Sequence, residues 1–256
     1  MHNSDDDDGF FVGYINRLPG TARWFVPLTA VLLVLGFASF GILAAGVQTD
    51  PGNGQFLWDA GEVTVSGVLE EHPYPLIHAE PSERFPQGRT LMLSGDGKRG
   101  VQDRVTSLSG RRVDVNGFLL KRGTIDMLQV TASPKPNSTI APKQAPNTPP
   151  PRSLGRWRLT GELCDGKCYA GAMRPGQGLA HKACANLCLI GGVPPVFVST
   201  DPVEGHQFMM VADQHGKALS QEWLHRVAVL IEVEGALEER GDLLIFKMDM
   251  ASMKEL

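Results

Sequence analysis

Val113-Asp114-Val115-Asn116-Gly117-Phe118-Leu119 returns later in the chain as Ile231-Glu232-Val233-Glu234-Gly235-Ala236-Leu237, and this pairing decides how the fold is read. Each stretch alternates apolar and polar residues up to a glycine. That is the period of a half-buried strand with a place to bend. Upstream, Val63-Thr64-Val65-Ser66-Gly67-Val68-Leu69 matches Trp157-Arg158-Leu159-Thr160-Gly161-Glu162-Leu163. Between these strands lie an apolar run and a turn in each copy, Leu91 to Lys98 and Phe208 to Lys217. Each copy closes on a strand after a turn, over 126–131 and 242–248. Five short strands with glycine bends describe a small barrel of the OB type, present twice. The fold class is therefore mainly β: an N-terminal transmembrane helix followed by two OB-like β-barrel modules.

The copies differ in length at one place. From glycine to matched glycine the first spans 50 residues (67 to 117) and the second 74 (161 to 235). The 24 additional residues correspond to a Cys/His segment, read as a helical insertion after the first strand of the second barrel. A loop on a rigid scaffold is a common place for function.

All four cysteines of the chain lie in that segment, in Cys164-Asp165-Gly166-Lys167-Cys168 and His181-Lys182-Ala183-Cys184-Ala185-Asn186-Leu187-Cys188. Leu179 to Ile190 reads as a short helix stopped by Gly191-Gly192, with Pro194-Pro195 beyond. On a helix, His181, Cys184 and Cys188 fall on one face. Cys164 and Cys168 come from a segment that turns at Asp165-Gly166. Cys164, Cys168, His181, Cys184 and Cys188 are thus the candidate metal ligands. Thiolate with imidazole suits zinc, copper(I) or an iron–sulfur cluster. Two other readings stand beside this one: structural disulfides, of which Cys168–Cys184 would close the longer loop, and a reactive thiol. A C-x-x-C-H haem motif and a C-x-x-C redox motif are both absent from the sequence.

Trp24 to Thr49 contains no charged residue over 26 positions, enough to span a bilayer and longer than a signal-peptide core, although Ala44-Ala45-Gly46 resembles a cleavage site and leaves a cleaved signal as the second reading. Arg17 and Arg23 flank its N-terminal side, and beyond it no Lys or Arg occurs before Arg84. The positive-inside rule then places the N-terminus in the cytoplasm. The domain reading is a cytoplasmic acidic tail (1–23), a transmembrane helix (24–47), a first β module (56–132), a Pro-rich linker (133–152) and a second β module with the Cys/His site (153–256). The linker holds seven prolines in twenty residues, a composition that favours extended chain. Localisation follows as a bacterial inner membrane with both modules periplasmic or otherwise outside.

Gly161-Glu162-Leu163-Cys164-Asp165-Gly166-Lys167-Cys168-Tyr169, Met173, Pro175-Gly176, Gly178, His181, Cys184-Ala185, Cys188 and Gly191-Gly192-Val193-Pro194-Pro195 resemble the signature of an uncharacterised family of membrane-anchored exported bacterial proteins. The resemblance covers the second module well and the first weakly. It implies a redox-linked accessory role near molybdopterin-dependent oxidoreductases, with a redox enzyme as partner. It also implies that Cys164 is the dispensable cysteine, because its position is often apolar in that family.

Other classes fit less well. Net charge is −4, so no basic field favours nucleic acid. No carboxylate pair, G-x-S-x-G, P-loop, Rossmann or H-E-x-x-H pattern is present, so the chain reads as an accessory more than as an enzyme. Met209, Met210, Met248, Met250 and Met253 read as core filler, and Met173 as a possible soft ligand. His72-Pro73-Tyr74-Pro75 reads as a rigid turn.

Overall fold

The computed structural model describes Gly20 and residues 22–47, 52–137 and 150–256. Most of the acidic tail and residues 138–149 of the Pro-rich linker lie outside the described residues. The chain divides into two compact units, 1–50 and 51–256.

The first unit contains helix α1, Ala22–Val47. Its 26 residues extend about 39 Å at 1.5 Å per residue, more than the roughly 30 Å of a bilayer core. The stretch Ala22–Gly46 has a mean hydropathy of 2.4. The helix begins two residues earlier than the apolar run, so Pro27 lies inside it rather than in its first turn.

The second unit holds both barrels. The first comprises β2 (Val63–Glu70), β3 (Leu76–Ala79), β4 (Arg89–Ser94), β5 (Arg112–Arg122) and β6 (Ile125–Val130), with the short helix α2 (Gln102–Val105) between β4 and β5. Two-residue strands β1 (Gln55–Phe56) and β7 (Lys135–Pro136) pair with β5. The second comprises β8 (Arg152–Asp165), β9 (Pro195–Val203), β10 (His206–Asp213), β11 (Leu230–Arg240) and β12 (Leu243–Met248), with β13 (Lys254–Glu255) on β11. The strand orders are β5-β2-β3-β4-β6 and β11-β8-β9-β10-β12, and each closes through its last two strands. In both barrels the third and fifth strands pair in parallel, β4 with β6 and β10 with β12. The repeat is thus one topology used twice.

The matched glycines have one physical cause. A Cβ on Gly67 would lie 2.2 Å from the carbonyl oxygen of His78, and one on Gly161 2.1 Å from that of Val198. Gly117 and Gly235 meet the carbonyls of Gln129 and Lys247 at 2.2 and 2.5 Å in the same manner. Closing a five-stranded barrel brings neighbouring backbones too near for a side chain at these points.

The connection between the first two strands runs over 71–75 in the first barrel and 166–194 in the second, a difference of 24 residues. The insertion therefore lies after β8, and it carries helix α3 (Lys182–Ile190).

Each barrel has its own apolar interior, with Leu91, Val115 and Leu128 in the first and Phe197, Val233 and Phe246 in the second. A third cluster joins them. Met92, Ile125 and Met127 on the outside of β4 and β6 pack with Phe208, Met210 and Ile245 on the outside of β10 and β12. Strands buried on both faces lose the alternating pattern, which is why these read as continuous apolar runs. Met209, Met210, Met248 and Met253 are all buried, in keeping with core filler. Polar ties rim the contact. Asp242 accepts from Thr90 N–H at 2.7 Å and pairs with Arg89 at 2.5 Å, while Arg240 pairs with Glu70.

The His72–Pro75 turn docks the first barrel onto the second. The buried Tyr74 hydroxyl accepts from Leu219 N–H at 3.0 Å, and burial raises its pKa to about 12. The equivalent connection of the second barrel docks in return onto the first, and it carries the cysteines.

Candidate metal centre

β8 ends on three buried residues that point different ways. Leu163 enters the barrel core, and Cys164 faces the other barrel, as strand alternation requires. Asp165 then starts the insertion. Its Oδ1 accepts from Cys168 N–H at 2.8 Å, capping the turn, and its Oδ2 lies 3.0 Å from His181 Nε2. Cys168 opens a single π turn over Cys168–Ala172. A 3-10 turn, Leu179–His181, leads into α3, whose Cys184 and Cys188 stand one helical turn apart.

Three sulfurs converge. Cys168 Sγ lies 4.0 Å from Cys184 Sγ and 3.9 Å from Cys188 Sγ, and all three lie within 4.8 Å of one another. Cys168 and Cys188 are buried, while Cys184 is partly open to solvent. The second barrel thus carries a group of side chains able to hold a metal.

The five residues singled out by spacing fall into two neighbouring groups. Cys164, Asp165 and His181 form the second, also within 4.8 Å of one another and fully buried. Cys164 is held away from the sulfur triad because it belongs to the strand: its thiol donates to Gly176 O at 2.6 Å. Burial, with Asp165 and Glu162 nearby, pushes that thiol well above its ordinary pKa. His181 sits in the tighter turn before α3, so its ring does not continue the helical face of Cys184 and Cys188 but meets Asp165. Met173 is about half exposed on the surface.

Within the triad the charges are unequal. Cys188 ionises below the ordinary thiol range, because Cys168 hydrogen-bonds to its sulfur and the Lys98 ammonium is near. Cys168 is pushed far up, by donating to Cys188 and by burial.

Two lysines complete the surroundings. Lys98, in the β4–α2 loop of the first barrel, places Nζ 2.6 Å from Cys184 Sγ and 4.0 Å from Cys188 Sγ. The hydrogen bond to Cys184 raises its pKa. Lys167 is 4% exposed and donates to Gly95 O and Gly97 O, both at 2.8 Å, so the insertion grips the loop that presents Lys98. Burial lowers its pKa. Gly100 N–H donates to Gly191 O at 2.7 Å, and Gln102 Nε2 to Gly192 O at 2.8 Å, holding the end of α3 to the same loop. Lys167 and Asp165 stand within the quoted cysteine motif but gave no sign of these roles. Lys98 lies 86 residues from Cys184, in a Gly-Asp-Gly-Lys turn that carries no ligand signal.

Comparison of the chain with protein-family models, with curated proteins and with solved structures finds no match in any of the three.

Proposed function

We propose that the chain is a membrane-anchored exported accessory protein that holds one soft metal ion on Cys168, Cys184 and Cys188 and supports a redox enzyme. The observation that carries the metal reading is the convergence of three sulfurs within 4.8 Å. Scattered core cysteines would not meet in this way. With two sulfur separations of 3.9 and 4.0 Å and the third within 4.8 Å, a centre lies about 2.3–2.5 Å from each sulfur, close to a metal–thiolate bond length. A cubane iron–sulfur cluster binds each thiolate to a different iron and holds them farther apart, so a single ion fits better.

The anchor reading rests on α1, and the orientation on Arg17 and Arg23. The redox-enzyme partner rests on the resemblance of the cysteine signature alone. Each part has its own test. Cys168→Ser, Cys184→Ser and Cys188→Ser should each strip the metal from the purified full chain, while Cys164→Ser keeps it; retention in all three would end the assignment. An alkaline phosphatase fused after Leu256 should be active in a bacterial host, and an inactive fusion would reverse the topology. Deleting the gene should lower molybdopterin-dependent oxidoreductase activity in the exported fraction of its host, and unchanged activity would remove the proposed partner.

A thiol–disulfide role is the second reading, favoured by the lowered pKa of Cys188 beside Cys168. It predicts a Cys168–Cys188 disulfide that forms by exchange with the oxidised member of a dithiol–disulfide buffer and is broken by the reduced member.

A further inference from the structure

We infer that the ion is copper(I), held in the plane of the three sulfurs with no fourth protein ligand, an inference that rests on the metal reading above.

The neighbours best able to supply a fourth donor belong to a separate group: the Cys164 thiol donates to Gly176 O at 2.6 Å, and the His181 ring meets Cys164 and Asp165 rather than the three sulfurs. Among the described residues, the group of possible ligands within mutual reach stops at three thiols. Zinc takes four ligands, tetrahedrally, in structural sites. A catalytic zinc keeps three protein ligands and a water, but such a water is put to use by a neighbouring general base. Here the side chain that reaches the sulfurs from the open side is the Lys98 ammonium, which can neither ligate while charged nor take a proton from water.

The spacing agrees. At S···S separations of 3.9 and 4.0 Å, with the third within 4.8 Å, an ion in the sulfur plane reaches all three at close to bond length. Thiolate is the soft donor that selects copper(I).

Charge also favours an ammonium at this place. Copper(I) with three thiolates carries two negative charges; the Lys98 ammonium lies against the triad, and that of Lys167 is near enough to feel Cys168 and Cys188. Lys98 touches Cys184, and Lys167 is fixed by the carbonyls of Gly95 and Gly97. Binding releases the thiol protons still present and moves no electron, since copper enters as copper(I). Cys184, the most exposed of the three ligands, is the edge at which an incoming thiolate or thioether can begin ligand exchange.

The test uses the full chain, exported by a host grown with both copper and zinc and purified from membranes in detergent without chelator. Elemental analysis and X-ray absorption at the metal edge are read on one sample. The expected result is one copper per chain, in the copper(I) state, with three sulfur neighbours at one distance and no nitrogen or oxygen neighbour. Cys184→Ser should lose at least tenfold in retention against bicinchoninate, and His181→Asn should leave the three sulfur neighbours of the metal unchanged. Stoichiometric zinc with four neighbours would overturn the copper assignment and leave the metal reading standing. Copper with a nitrogen neighbour that His181→Asn removes would overturn the three-ligand site. A fully reduced chain that retains neither metal would sink both readings.

Discussion

Asp165 concentrates more of the account than any other single residue. It is fully buried, caps the turn at Cys168 and faces His181. Asp165→Ala leaves the buried Cys168 N–H and the His181 ring without their partner, and an unsatisfied buried polar group costs about 1–3 kcal/mol, so the second unit should lose about that much or more in urea unfolding. A loss below about 1 kcal/mol would mean that the contact with His181 is not made. Lys167→Met leaves the carbonyls of Gly95 and Gly97 without their donor, an expected loss of about 1–3 kcal/mol. It should also free the loop that holds Lys98. His206 gives a pH dependence. Burial lowers its folded pKa, so as pH falls through the ordinary histidine range, near 6.5, the unfolded chain takes up a proton that the folded chain does not. Stability present above that range is lost below it. His206→Gln should flatten the slope of stability between about pH 7 and pH 5, and an unchanged slope would place the titration elsewhere. At this scale the sequence was partly legible. The four cysteines and His181 were visible from their crowding, but their division into two groups was not. That division depends on where strand β8 stops and on a carboxylate capturing the imidazole.

The elements that build the site are a strand end, a π turn and α3, and the least obvious is the loop they press against. A Cβ on Gly191 would lie 1.8 Å from Lys98 O, so Gly191→Ala must part α3 from the β4–α2 loop. Overpacking of this kind costs about 1–3 kcal/mol. It should also weaken metal retention although no ligand is touched, measured by chelator competition beside Lys98→Met. Unaltered retention would show that the loop only rests on the site. The strands and the insertion were legible because period-2 alternation and glycine spacing are local signals. The first barrel's role at the site was not, because Gly95-Asp96-Gly97-Lys98 reads as an ordinary turn until the fold brings it to Cys184.

The two barrels share the cluster of Met92, Ile125, Met127, Phe208, Met210 and Ile245, so they are expected to unfold together. Met210→Ala should cost about 2–5 kcal/mol and lower hydrogen-exchange protection in β4 and β6 as well as in β10 and β12. Protection lost in the second barrel alone would show that the cluster does not couple them. A Pro-rich stretch between repeats reads as a spacer between separate modules. What linear sequence concealed is that the apolar runs of β4, β10 and β12 are buried on both faces, which is the mark of a partner layer. The Cys/His insertion lies against that partner, and so the metal reading is a statement about the whole second unit. The central claim is that three thiols hold an ion. Its most direct test is the metal content of the purified full chain, with free thiols counted on the same sample after denaturation and metal removal. The account predicts one metal ion per chain and all four cysteines titrating as thiols. No metal, with two disulfides in place of the thiols, would contradict it.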